Sequence, residues 1–165
     1  MQLLIIRHGI AEDGEMFAAT GKDDSLRPLT KRGKRKMREV AAGLREIVET
    51  VDLLAASPLV RAQQTAKIVA RAYDDIAVNT VEALSPESSP ASLVAWLDGH
   101  ASANVVAVVG HEPHLGMLVT WLMTKARESR VELTKGGAAL LDFSSSVEAG
   151  GGTLQWLLTG SQLRR

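Results

Sequence analysis

The sequence predicts an α/β protein: a three-layer sandwich with a mainly parallel central sheet flanked by helices. Two observations carry this. Short strand-like runs at 2–6, 52–56, 77–81 and 105–109 alternate with longer stretches in which apolar residues recur every three or four positions. That alternation is the pattern of parallel strands joined by helical crossovers. The chain also has 165 residues with 45% hydrophobic content, which suits one domain around one substantial core. No repeat, linker or low-complexity tract interrupts it, so a single domain over 1–165 is expected.

The elements follow in order. Residues 2–6 (QLLII) are too short for a helix and read as a buried strand bounded by Gly9. Residues 10–29 read as polar and irregular, with Gly14, Gly21 and the cluster Asp23-Asp24-Ser25. From Thr30 the period changes: Met37, Val40, Ala41, Leu44, Ile47 and Val48 lie on one helical face, and Thr30 is a suitable N-cap. The basic run KRGKRK on this helix reads as a solvated face.

Residues 52–56 (DLLAA) form a second strand ended by Ser57-Pro58, and 60–72 a helix with Ala62, Thr65, Ala66, Val69 and Ala70 on one side. Residues 77–81 are a weaker strand. Pro86 and Pro90 bracket a loop leading to a short helix around Leu93–Leu97. The run 105–109 (VVAVV) is the strongest strand signal; Gly110 stops it, and a helix follows through Leu115, Leu118, Val119, Leu122 and Met123. AALLDF and TLQWLL, on either side of the turn-rich segment Ser144–Gly152, read as a closing β-hairpin. That segment lacks the lysine and following helix of a phosphate loop. Trp96, Trp121 and Trp156 sit in apolar stretches and read as core.

Composition narrows the function. Lys and Arg number 19, as do Asp and Glu, so no global field draws the chain to nucleic acid or a membrane surface. There are no cysteines, which removes disulfides, thiolate metal sites and cysteine nucleophiles. No basic leader or spanning apolar stretch is evident, so a cytoplasmic protein is expected.

Three segments share a place at the carboxyl end of a strand: I-R-H-G at 6–9, S-P-L-V-R at 57–61 and V-G-H-E at 109–112. Ligands of open parallel sheets bind outside those strand ends, so Arg7, His8, Arg61 and His111 are expected on one rim. Their chemistry is coherent. Guanidinium forks bind phosphate oxygens in bidentate fashion and keep their charge. A neutral imidazole is a nucleophile near neutral pH, and a second one can donate to a phosphoryl oxygen. Gly9 and Gly110 would allow close approach there. His114 is expected at the surface or behind the site, and His100 in a polar turn without a catalytic role.

These segments carry a resemblance. L-L-I-I-R-H-G, then Ser57-Pro58 through Arg61 and Ala62-Gln63-Gln64-Thr65-Ala66, then V-V-G-H-E-P-H-L, resemble the three motifs of the histidine phosphatase, or phosphoglycerate mutase-like, superfamily. The segment D-S-L-R-P-L-T at 24–30, the small size and A-L-S-P at 83–86 resemble the SixA-type phosphohistidine phosphatases within it. The resemblance implies a phosphoglycerate mutase-like fold, phosphorylation of His8, capture of the phosphoryl group by Arg7 and Arg61, and a pocket completed by His111. Larger relatives roof the site with an insertion after the third strand; here only about ten residues lie between Glu82 and Leu93, so no large lid is expected.

Relatives that cleave alkyl phosphates protonate the leaving oxygen with a carboxylic acid near the end of the third strand. Glu82 lies in that region, and Asp24, Glu12 and Glu112 are weaker candidates. A leaving imidazole departs readily once protonated, whereas an alkoxide needs a general acid. The reading is therefore a metal-independent, cofactor-free phosphohistidine phosphatase acting on a partner protein such as a phosphorelay component. The alternatives are a small-molecule phosphomonoesterase acting on a small phosphate ester, or a catalytically silent phosphate-binding module.

Overall fold

The computed structural model describes residues 1–164. Six strands form one sheet in the order β3-β2-β4-β1-β5-β6. They are β1 (Gln2–Arg7), β2 (Leu53–Ala56), β3 (Val78–Thr80), β4 (Val105–Gly110), β5 (Ala138–Asp142) and β6 (Thr153–Leu158). The pairs β1–β4, β2–β4 and β2–β3 are parallel, while β1–β5 and β5–β6 are antiparallel. The expected sandwich, its mainly parallel sheet and the closing hairpin are all present.

Two cores sit on opposite faces, because successive residues of a strand point opposite ways. Leu4, Ile6, Ala107 and Val109 face α2 (Lys31–Ile47) and α3 (Val60–Ala72). Leu3, Ile5, Val106 and Val108 face α4 (Pro90–Asp98) and α5 (His114–Thr124). Thr30 caps α2 by accepting from the Gly33 N–H at 2.8 Å. Ile47 departs from the expected stripe: it is 44% exposed, because the helix ends there and Val48 turns inward as its C-cap.

The irregular stretch 10–29 has more structure than its composition suggests. Asp13 caps the short helix α1 (Gly14–Ala18), and a 3₁₀ turn follows at Asp24–Leu26. Ala11 bridges Leu29 in antiparallel fashion. Pro86 and Pro90 bracket the loop as expected, and Pro90 is also the first residue of α4, behind the Ser89 cap, where its missing N–H costs nothing. A final helix, α6 (Gly160–Leu163), starts on a reciprocal capping box between Thr159 and Gln162.

The segment Ser144–Gly152 is tied to α5: the Gly150 and Gly152 N–H groups donate to the Trp121 and Leu122 carbonyls. The three tryptophans pack on the cores only half-buried, since they lie at the margins of the helices and on the edge strand β6. Among the described residues, no helix is long and apolar enough to cross a membrane.

Candidate active site

The register of the sheet assembles the rim. Arg7 pairs with Gly110 across β1 and β4, so His8 and His111 leave adjacent strands side by side. The His8 N–H donates to the Gly110 carbonyl at 3.1 Å, and the Ser57 N–H to the Val109 carbonyl at 3.0 Å. The ends of β1, β4 and β2 thus meet at one level. Arg61, in the first turn of α3, reaches the same place: its charge acts on both His8 and His111. All four residues singled out in the sequence converge.

His8 is buried, and its ring is oriented by its own chain. Nδ1 lies 2.7 Å from the Gly9 carbonyl oxygen. A carbonyl only accepts, so Nδ1 carries the proton and the lone pair sits on Nε2. Among the described residues Nε2 has no hydrogen-bond partner. Burial pushes the His8 pKa down to about 4; the Gly9 hydrogen bond opposes this, and the charges of Arg61, Arg7 and Arg27 add to it. The ring is neutral at pH 7. The His111 ring lies 5.0 Å from that of His8, centroid to centroid. Burial first, then the His8 and Arg61 charges, push His111 to about 3. Its Nε2 is 2.8 Å from the Ser57 Oγ, while its Nδ1 is buried without a partner among the described residues.

The arginines are held in different ways. Arg7 donates from Nη1 to the Leu133 carbonyl at 2.6 Å, and its Nε is buried without a partner among the described residues. Arg61 donates from Nη1 to the Asp24 carbonyl at 3.0 Å and pairs through Nη2 with the Asp24 carboxylate at 3.2 Å, leaving its Nε unpartnered. Arg27 pairs with the other Asp24 oxygen at 2.7 Å and donates to the Glu12 carbonyl at 2.9 Å. Arg27 thus adds a third guanidinium that the motifs did not single out. Its signal lay in D-S-L-R, where the i, i+3 spacing from Asp24 allows the pair.

Glycine serves the site at Gly136, whose φ of +72° lets its N–H approach the carbonyls of both Arg7 and His8 at 3.2 Å. Gly9 and Gly110 serve the frame instead, since a Cβ there would meet Met37 and Leu115. Thr65 was placed on the apolar side of its helix; its Oγ1 also accepts from the Gly9 N–H at 3.1 Å.

The candidate acids separate. Glu82 is exposed at the start of a 3₁₀ turn (Glu82–Leu84), with Ser85 Oγ donating to it at 3.2 Å. Asp24 is held below the usual carboxylate range, chiefly by its hydrogen bond with Arg27. Glu12 is exposed and meets Arg27 only through its backbone. Glu112 accepts two backbone N–H groups, from Leu133 at 2.9 Å and Gly116 at 3.3 Å. His114 is not at the surface: it is 2% exposed at the start of α5, and neither ring nitrogen has a partner among the described residues. Its position on the inner side of the first turn of α5 explains this. His100 donates from Nδ1 to the Trp96 carbonyl at 2.9 Å, away from the rim. Among the described residues, no group of three or more His, Asp or Glu side chains is placed to hold a metal ion.

A pocket with one neutral imidazole nitrogen free, a second imidazole 5.0 Å away and guanidinium groups around both is suited to a tetrahedral oxyanion. Comparison with known proteins agrees. Residues 3–86 match the model of the histidine phosphatase superfamily (branch 1). The chain is 36% identical over 118 residues to an uncharacterized protein of Picosynechococcus sp., covering 70% of this chain and 69% of that one. It is 28% identical over 170 residues to the phosphohistidine phosphatase SixA of Escherichia coli, covering 99% and 97%. A solved structure of the protein histidine phosphatase SixA complexed with tungstate superposes with a TM-score of 0.83 at 28% identity, covering 99% of both chains. The alpha-ribazole phosphatase of Shigella flexneri shares the fold, with a TM-score of 0.76 at 19% identity and 97% coverage of both chains. The chain is SixA-like in sequence and fold, is a phosphatase, and belongs to the histidine phosphatase superfamily, branch 1.

Proposed function

We propose that the protein hydrolyses phosphohistidine on a partner protein through a phospho-His8 intermediate. The observation that carries this is the His8 ring: Nδ1 is committed to the Gly9 carbonyl, and Nε2 is neutral and free amid guanidinium groups. In the first step the Nε2 lone pair attacks phosphorus in line, and the substrate N–P bond breaks. The departing imidazole takes a proton from solvent water, which reaches the unroofed site. Arg7, Arg61 and His111 hold the equatorial oxygens as charge spreads over them. Water then attacks phospho-His8, releasing inorganic phosphate and the neutral ring. The charge that a metal would supply comes from the guanidinium groups, so the reaction is proposed to need none.

The choice of phosphohistidine rests on the leaving group. Two of the candidate acids are committed, Asp24 to Arg27 and Arg61 and Glu112 to backbone N–H groups, while Glu82 is exposed beyond β3 with only Ser85 Oγ donating to it. An alkoxide would need a free acid, whereas an imidazole departs readily once protonated. Only residues 81–89 join β3 to α4, so no insertion roofs the site, and a phosphorylated side chain on a folded partner can reach it. The SixA similarity over nearly the whole chain points the same way.

The test is turnover of a peptide phosphorylated on histidine with phosphoramidate, beside a panel of alkyl phosphates. The expected result is strong preference for the phosphohistidine peptide, with a rapid-quench phosphoenzyme that is acid-labile. Equal rates on alkyl phosphates would favour the small-molecule alternative, and binding without turnover the silent module.

A further inference from the structure

We infer that Glu112 is a positioning residue for Arg7, acting through the backbone of Leu133 and not as a proton donor. The inference rests on the reading that Arg7 binds the phosphoryl group. Glu112 follows His111 and faces the segment between α5 and β5. Its Oε1 accepts from the Leu133 N–H at 2.9 Å, and its Oε2 from the Gly116 N–H at 3.3 Å. The same Leu133 presents its carbonyl to Arg7 Nη1 at 2.6 Å. One residue's backbone therefore links the carboxylate to the guanidinium.

The link matters because the segment 126–137 has no helix or strand of its own to hold it. It is pressed onto the first turn of α5 instead, where a Cβ on Gly116 would overlap the Val131 carbonyl oxygen. Glu112 reaches both sides of that contact. With Arg7 Nη1 committed to Leu133, the edge formed by Nε and Nη2 is the one without a protein partner among the described residues. That edge is the bidentate fork a phosphoryl group requires. A displaced Leu133 carbonyl would let the guanidinium rotate, and small misplacements of a binding group cost large factors in rate.

The geometry also argues against a proton donor. Both Glu112 oxygens accept backbone N–H groups, and these hydrogen bonds favour the carboxylate over the neutral acid that a proton donor must be. Burial leaves the Glu112 pKa raised overall, and the Leu133 and Gly116 N–H groups and the Arg7 charge reduce that rise without reversing it.

The two roles separate on a series of aryl phosphates with leaving groups of increasing basicity. Glu112→Ala is expected to lower kcat by about tenfold to a hundredfold, by the same factor across the series and with little change in KM. Glu112→Gln keeps one acceptor oxygen for Leu133 and should recover part of the loss. In an Arg7→Ala background the Glu112 substitution should cost less than about twofold, because the group it positions is gone. Should Glu112→Ala fail to fold, Glu112→Gln on both backgrounds completes the same cycle. A loss that grows with leaving-group basicity, one that persists in full without Arg7, or wild-type kinetics for both variants would overturn the inference. Wild-type kinetics for Arg7→Ala would instead overturn the reading of Arg7.

Discussion

His8 and His111 stand with ring centroids 5.0 Å apart and planes tilted by 55°, each the residue just beyond a pair of neighbouring strands. Neither can gain a proton easily. A charge on one disfavours a charge on the other, and burial disfavours both. This arrangement keeps both imidazoles neutral, as the proposed roles of His8 as nucleophile and His111 as donor require. The tests below probe it.

Replacing His8 by Ala should abolish turnover while leaving the fold intact. Rates should fall by several orders of magnitude, since the proposed reaction runs through the His8 Nε2 lone pair. Circular dichroism would confirm folding, and activity within about tenfold of wild type would remove His8 as the nucleophile.

Arg61→Lys keeps a charge but loses the planar fork that meets Asp24 and leaves Nε free. It is expected to lower kcat by about a hundredfold or more, with a smaller change in KM, because the oxygens gain charge in the transition state. Steady-state kinetics on an aryl phosphate and on a phosphohistidine peptide check this.

Asp24 pairs with Arg61, which is proposed to hold the phosphoryl group, and with Arg27 beside it. Asp24→Asn removes a negative charge from the rim, so inorganic phosphate should inhibit several-fold more strongly. The same change frees Arg61 to move, so kcat should fall. An unchanged inhibition constant would show that Asp24 does not share its arginines with substrate.

Acid should destabilise the fold through these histidines. The folded values, about 4 for His8 and about 3 for His111, lie below the ordinary 6.5. The unfolded chain therefore binds more protons as pH falls below 6.5. Their contribution to stability is complete above pH 6.5 and declines as pH drops towards 4 and then 3. Thermal melts between pH 7 and 4.5 should show a shallower decline for His8→Asn than for wild type. Parallel declines would contradict the burial of a neutral ring.

Gly33→Ala probes the frame around the site. A Cβ there would overlap the Ile10 carbonyl oxygen, which already accepts from the Thr30 N–H at 3.0 Å. Helix α2 would have to withdraw from the loop following His8, at a cost of about 1–3 kcal/mol. Chemical denaturation would register the loss.

Much of this was legible in the sequence because it is local. Buried strands are continuous apolar runs, α2 shows its face every three or four residues, and Thr30 caps it as its type suggests. The capping box at Thr159 and Gln162 was equally local, yet the four-residue helix it starts shows no apolar period. The motif residues could be placed on one rim because parallel strands put their carboxyl ends on one edge. What the sequence could not contain was the partner of each side chain. That Asp24 holds Arg61, that Ser57 meets His111, that Glu112 serves Leu133 and that His114 lies buried without a partner all depend on register and on loops with no periodicity. Residue type and spacing set which groups can reach the rim; hydrogen bonds and burial act over a few ångströms, so only the packed chain decides which nitrogen is free and which carboxylate is already taken.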